Sequence, residues 1–216
     1  MPEATIIIFQ IAILVMSVVV HEVSHGVAAL FLGDKTAKYA GRLTLNPIPH
    51  IDPFGSVLLP LLLVVIGSPF LIGWAKPVPY NPYNLMKSPK WGPGIVAAAG
   101  PLSNLSVAVI FGLILRLGIG GVFSFLSPEF IGPFLQIITY IIVINIVLAV
   151  FNLVPIPPLD GSKVLFTLLP YRALWVQEFL ESWGFVILII FIVAFSGWIG
   201  ILTSLVFNLI VGTNIF

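Results

Sequence analysis

The feature that most constrains this chain is a succession of long apolar runs. Several of them approach or exceed the roughly 20 residues that a helix needs to cross a bilayer. They fall at about residues 5–32, 94–117, 131–153 and 184–211, with a shorter run at 57–72 broken by Pro60 and by Gly67-Ser68-Pro69. Hydrophobic residues make up 59% of the chain and charged residues only 8%, with a mean hydropathy of +1.17. Soluble domains carry about 25% charged residues, so this chain has too little polar surface to stay in water. The expectation is an all-α polytopic membrane protein, multi-pass in a cell membrane, with residues 1–216 forming a single membrane-embedded domain in a lipid bilayer. No cationic start or small-residue cleavage site marks a removable leader, so the first run is expected to remain as structure. The absence of cysteine excludes disulfides and thiolate metal sites. No basic patch with interleaved aromatics suggests a nucleic-acid partner. Composition is silent on oligomeric state.

The punctuation between runs fixes a topology. Gly33-Asp34 is a plausible helix stop, and the alternation around Leu43 and Leu45 suggests a short membrane-associated β element. The segment from Trp74 to Pro82 is too rich in proline for a helix and reads as extended chain. Eight of the nine Lys and Arg residues fall in three places: Lys35, Lys38 and Arg42; Lys76, Lys87 and Lys90; Lys163 and Arg172. Only Arg116 lies elsewhere. If all three places are cytoplasmic, the positive-inside rule is satisfied almost completely. The four long runs then go in, out, in and out, and the shorter run must enter and leave on one side as a re-entrant hairpin. The length of that run, about 16 residues, allows either a hairpin or a full span; the three lysines after it favour the hairpin.

Chemistry enters with His21-Glu22-Val23-Ser24-His25, inside the first run. Residues four apart share a helix face, so both imidazoles can reach one ion, with Glu22 beside it to activate water. A carboxylate and two imidazoles are costly inside a membrane helix unless something satisfies them. The motif lies seven to eleven residues before the end of the run, roughly 10–16 Å at 1.5 Å per residue. That depth is below the cytoplasmic surface and within reach of water. A catalytic zinc takes three protein ligands, and the candidates for the third are Asp160, His50 and Asp52. Glu129 falls on the outer side, and Glu178 and Glu181, near Trp183, are poor candidates. Asp160 follows a break containing Pro155, Pro157 and Pro158, and Gly161 after it permits a close approach. Asp160 is equally suited to start a helix as its N-cap. Spacing alone leaves the three open.

Two further motifs join the first. Gly100-Pro101-Leu102-Ser103-Asn104 opens the third segment, and Asn152 through Leu159-Asp160-Gly161 closes the fourth. With these three motifs in this order over about 140 residues, the chain resembles the site-2 protease family of intramembrane zinc metalloproteases. The resemblance implies one zinc ion per chain held by His21, His25 and Asp160, with Glu22 as general base. It also implies a three-helix catalytic core formed by the first, third and fourth segments, to which the last apolar run adds a C-terminal helix, and a substrate drawn from the transmembrane segments of other proteins. The site would lie nearer the cytoplasmic side. Asn104 would sit near the ion, where its amide could bind substrate or the developing oxyanion; a helix-to-helix hydrogen bond is the plainer use. Asn152 has the same two readings. The chain departs from the best-known members in lacking an inserted PDZ-type domain and a helix before the zinc-binding one. It also carries the extra hairpin with His50 and Asp52 at its base, where His50 is expected to be structural. These features suggest a compact prokaryotic branch. The strand near Leu43 and the extended segment after Trp74 could pair with an unwound substrate by strand addition. A metal or proton transporter and an inactive membrane scaffold are the rival readings. No internal repeat supports the first, and the intact motif argues against the second.

Overall fold

The computed structural model describes residues 3–66, 73–123 and 127–212, without the side chains of residues 60, 64, 128 and 196. The chain forms α1 (Glu3–Phe31), a short α2 (Thr36–Tyr39), α3 (Leu59–Val65), α4 (Gly92–Ile119), α5 (Pro128–Asn152), α6 (Asp160–Leu168) and α7 (Leu174–Val211). Four segments are long and apolar enough to cross a membrane: Glu3–Phe31, Gly92–Ile119, Glu129–Asn152 and Tyr171–Phe195. Large apolar side chains such as Ile8, Ile110, Ile190 and Leu209 point away from the protein, as lipid-facing residues must when the solvent is itself apolar. This is a multi-pass, all-helical membrane protein.

Packing between helices that all face lipid depends on close fit rather than on expulsion of water. One core cluster joins Ala108 and Leu115 of α4, Ile138, Ile142 and Ile146 of α5, and Phe207 and Val211 of α7. Gly112 lets α7 approach α4, because a Cβ there would run into the Ile210 side chain. Helix α7 has 38 residues and bends at Phe195, where φ is −124° and ψ is 17°. A straight helix of that length would reach about 57 Å, well beyond a hydrocarbon core of about 30 Å. It begins ten residues before the apolar stretch expected from sequence, since 184 − 174 = 10. The added turns interrupt their apolar residues with Gln177, Glu178, Glu181 and Ser182, and Gln177 donates to Glu181 at 2.9 Å one turn on, a pairing that supports an exposed helix.

The three basic segments converge on one end of the bundle. Lys87 N–H donates to the Leu32 carbonyl at the end of α1 at 3.2 Å, Arg42 Nη2 donates to the Lys76 carbonyl at 2.6 Å, and Gly94 of α4 lies against Thr167 of α6. Asp34 locks this end. Its buried carboxylate accepts from Thr36 N at 3.0 Å, Asn84 Nδ2 at 3.1 Å and Asn81 N at 2.7 Å, and also from the Thr36 hydroxyl.

The two ends of the segment expected to form a hairpin are pinned to each other. Trp74 N–H donates to the Gly55 carbonyl at 3.1 Å, Lys76 N–H donates to the His50 carbonyl at 2.9 Å, and Ser56 Oγ donates to the Trp74 carbonyl at 2.8 Å. The outgoing arm is a six-residue π-helical turn, Pro53–Leu58, followed by the seven residues of α3, too short to cross a bilayer. The turn expected at Gly67-Ser68-Pro69 lies outside the described residues. Residues 73–80 form neither helix nor strand, in keeping with prolines that disfavour a helix there. The β element expected around Leu43 and Leu45 is not found, and no strand occurs among the described residues. Local side-chain bonds bend the chain there instead. Thr44 Oγ1 accepts from Asn46 N at 3.1 Å, Asn46 Oδ1 accepts from Ile48 N at 3.1 Å, and the Thr44 carbonyl accepts from His50 Nε2 at 3.0 Å. Such turns offer the backbone an alternative to a ladder.

Candidate metal centre

Helix α1 presents Ser17, His21 and His25 at intervals of four residues, all buried, on the face that packs against α4 and α5. The residue of α4 that meets both imidazoles is Gly100. A Cβ there would lie 2.5 Å from His25 Nε2 and 2.6 Å from His21 Nε2. Its absence lets α4 pack directly against the two nitrogens. The third group comes from the start of α6. Gly161 follows Asp160 and fits tightly over the Leu153 and Val154 carbonyls, which a Cβ would strike. Asp160 is buried and makes no cap bond to its own helix; it turns toward α1. Its Oδ2 lies 3.0 Å from His21 Nε2 and 3.1 Å from His25 Nε2, across 139 residues of sequence in the first case.

The hydrogen bonds behind the rings decide what this cluster can hold. His25 Nδ1 lies 2.7 Å from the Val96 carbonyl, which can only accept, so Nδ1 carries a proton. His21 Nδ1 lies 2.6 Å from Asn104 Oδ1. The other end of that amide faces two acceptors, the Ser17 carbonyl at 3.3 Å and Asn145 Oδ1 at 2.8 Å. That end is therefore the NH₂, and Oδ1 accepts from His21. In the neutral rings, both Nε2 atoms then aim lone pairs at one carboxylate oxygen. Two electron-rich nitrogens, each about 3 Å from one carboxylate oxygen, repel it unless a cation lies among them. A tetrahedral zinc site with bonds of about 2.0–2.1 Å places its ligand atoms roughly 3.3 Å apart, a few tenths more than the spacings found. The donor set and its spacing fit a divalent metal.

Glu22 completes the arrangement. One carboxylate oxygen of Glu22 and one nitrogen of each histidine lie within 4.8 Å of one another. Glu22 Oε2 accepts the Val78 N–H at 2.9 Å, so the segment of residues 73–80 holds the carboxylate beside the histidines. His50 and Asp52 make their bonds elsewhere: His50 Nε2 bonds the Thr44 carbonyl while its Nδ1 is buried without a hydrogen-bond partner among the described residues, and Asp52 caps the π-helical turn by accepting from Phe54 N at 3.0 Å and Gly55 N at 2.7 Å. Asn152 donates to the Leu148 carbonyl one turn back at 2.9 Å. Asn104 is fully buried, with both amide N–H bonds directed at Ser17 and Asn145. Sequence reasoning overlooked Asn145, Ser17 and the Val78 N–H. For Asn145 the signal was present, a second asparagine deep in an apolar run, as costly as Asn104 if left unpartnered.

The fold and this centre together describe a membrane-embedded metallopeptidase, and comparison with known proteins agrees. The profile of Peptidase family M50 matches residues 9–195. The chain is 38% identical over 193 residues to YwhC of Bacillus subtilis (strain 168), a candidate zinc metalloprotease by its name, covering 86% of this chain and 80% of that one. It is 30% identical over 195 residues to Rip2 of Mycolicibacterium smegmatis (strain ATCC 700084 / mc(2)155), similarly named, covering 89% of this chain and 70% of its relative. No solved structure matches. The protein belongs to Peptidase family M50, the site-2 protease family of zinc metalloproteases.

Proposed function

We propose that this protein is an intramembrane endopeptidase of the cell membrane, holding one zinc ion per chain between His21 Nε2, His25 Nε2 and Asp160 Oδ2. The observation that carries the reading is the convergence of those three atoms beside Glu22, with both imidazole Nδ1 protons already directed elsewhere. Bound there, zinc supplies a Lewis acid that polarises a carbonyl and makes water acidic near neutral pH. Glu22 takes a proton from the attacking water and passes it to the leaving amine. The Val78 N–H orients that carboxylate through Oε2 and leaves Oε1 for the proton. Asn104 serves by holding His21, since its donors are engaged behind the ring rather than turned to an oxyanion.

The substrate is a transmembrane segment of another protein. Its peptide bonds are hidden while it is helical, so it must enter extended. The arm of residues 73–80 runs past Glu22 and offers main-chain groups for strand addition. The basic end of the bundle faces the cytoplasm, with the metal roughly 9–15 Å from the end of α1, at 1.5 Å per residue from His25 and His21 to Phe31. The test is reconstitution in vesicles with a reporter transmembrane segment, alongside zinc analysis. Wild type should cleave and hold zinc, whereas Glu22→Gln should hold zinc and lose about 10²- to 10⁴-fold in rate. Unchanged cleavage in Glu22→Gln would remove Glu22 from the mechanism.

A further inference from the structure

Behind His21 lies a polar chain in the otherwise apolar contact between α1, α4 and α5. Asn145 of α5 is fully buried. Its Nδ2 donates to the Ile141 carbonyl at 2.8 Å and to Ser17 Oγ at 2.9 Å, and its Oδ1 accepts from Asn104 Nδ2 at 2.8 Å. The direction of every bond follows from two main-chain carbonyls, which can only accept. The Ile141 carbonyl fixes which end of Asn145 is NH₂. The Ser17 carbonyl, together with Asn145 Oδ1, does the same for Asn104. The one orientation left for Asn104 turns its oxygen to His21 Nδ1, which must then carry the ring proton and leave Nε2 bare.

We propose that Asn145, seated by Ser17, is a positioning residue for the metal centre, acting through Asn104 to fix the rotation and tautomer of His21. The proposal rests on the zinc reading above and goes beyond it, to residues outside all three sequence motifs. Its physical basis is that a ligating imidazole is only as well aimed as the group on its other nitrogen, and the loss of such partners weakens metal binding 10- to 100-fold. Without Asn145, only the longer bond to the Ser17 carbonyl at 3.3 Å would orient the Asn104 amide, and a flip to the NH₂ end would favour the wrong tautomer. Asn145 removes that freedom. A plain role as glue between helices would leave metal affinity untouched, which separates the two roles experimentally.

The experiment measures zinc affinity of the detergent-purified full chain by competition with a chromophoric chelator at fixed pH. It compares wild type, Asn145→Leu, Asn104→Ala and the double variant, and records the visible spectrum of the cobalt-loaded forms and the melting midpoint of the metal-free forms. Asn145→Leu should bind zinc about tenfold more weakly, at the lower end of the range for outer partners, with a changed cobalt spectrum. The double variant should match Asn104→Ala to within about twofold, because the effect of Asn145 passes through Asn104. Ser17→Ala should shift affinity in the same direction by a smaller factor, and it carries the test if Asn145→Leu does not fold. Zinc affinity within about twofold of wild type in the folded Asn145 variant, or losses that multiply in the double variant, would overturn the proposal alone. A wild-type chain that binds no zinc would overturn the metalloprotease reading as well.

Discussion

Glu22 of α1 and Val78 of the segment after Trp74 are joined by a hydrogen bond from backbone to carboxylate, 2.9 Å long, so the base of the proposed reaction is held by a segment 56 residues further on. Replacing Val78 by proline deletes that N–H. The expected result is a cleavage rate lower by about tenfold, as for a misplaced catalytic group, with zinc content unchanged. Val78→Ala keeps the N–H and should cleave like wild type.

The third ligand is tested by metal analysis. Asp160→Ala should lose the zinc, because two imidazoles alone leave a catalytic site one protein ligand short. His50→Ala and Asp52→Ala should keep it, since His50 Nε2 and Asp52 Oδ1 serve local turns and neither residue joins the cluster of His21, Glu22 and His25. Zinc that survives in Asp160→Ala and disappears in His50→Ala would move the site to the hairpin.

Gly100 gives a steric test. An added methyl would press within 2.5 Å of His25 and 2.6 Å of His21, and overpacking of this kind costs about 1–3 kcal/mol. Gly100→Ala should therefore weaken zinc binding by about tenfold or more when assayed against a chelator. Gly132 of α5 has nothing within 4 Å of a Cβ, so Gly132→Ala should bind zinc normally and melt slightly higher.

Asp34 sets an acid limit on the clamp at the basic end. Burial pushes its carboxyl up, but the Thr36 hydroxyl, the Asn81 N–H, the Asn84 amide and the Thr36 N–H outweigh that and hold it below the ordinary carboxylate range. A depressed carboxyl stabilises the fold fully above its unfolded value, about 3.9, and the contribution is lost as pH falls through the lower folded value. Asp34→Asn should lower stability at neutral pH by about 1–2 kcal/mol, comparable to a lost cap. The gap in melting temperature between the two proteins should narrow below about pH 4.

The convergence of the basic segments predicts a labelling pattern. The chain has no cysteine, so single cysteines at Tyr39, Tyr83 and Tyr171, which are 80%, 90% and 92% exposed, report cleanly. All three should react with an impermeant thiol reagent from the cytoplasmic side only.

Much of this was legible in sequence because it is local. Apolar length gave the membrane helices, four-residue spacing put His21 and His25 on one face, and the proline break before Asp160 marked where a helix stops and a new one starts. Features that depend on contacts between distant segments were not legible. Periodicity carries no trace of the Val78 N–H meeting Glu22, or of Asn145 reaching Asn104 across a helix interface. At Leu43 and Leu45 the alternation was real, but Thr44 and Asn46 found partners two residues on and bent the chain. At Leu174 the start of α7 was hidden because Gln177, Glu178, Glu181 and Ser182 break up the apolar residues of its first turns, and charge in a helix that ends at a surface looks like a loop.

The distance along the chain between His21 and Asp160, 139 residues, also has a consequence for biogenesis. A chain emerging at about 5–20 residues per second threads its histidine pair into the membrane on the order of ten seconds before the carboxylate leaves the ribosome. With Asp160 as the proposed third ligand, the nascent protein passes that interval unable to complete its centre. Until α6 follows, the histidine pair of α1 has no carboxylate to face across the helix interface.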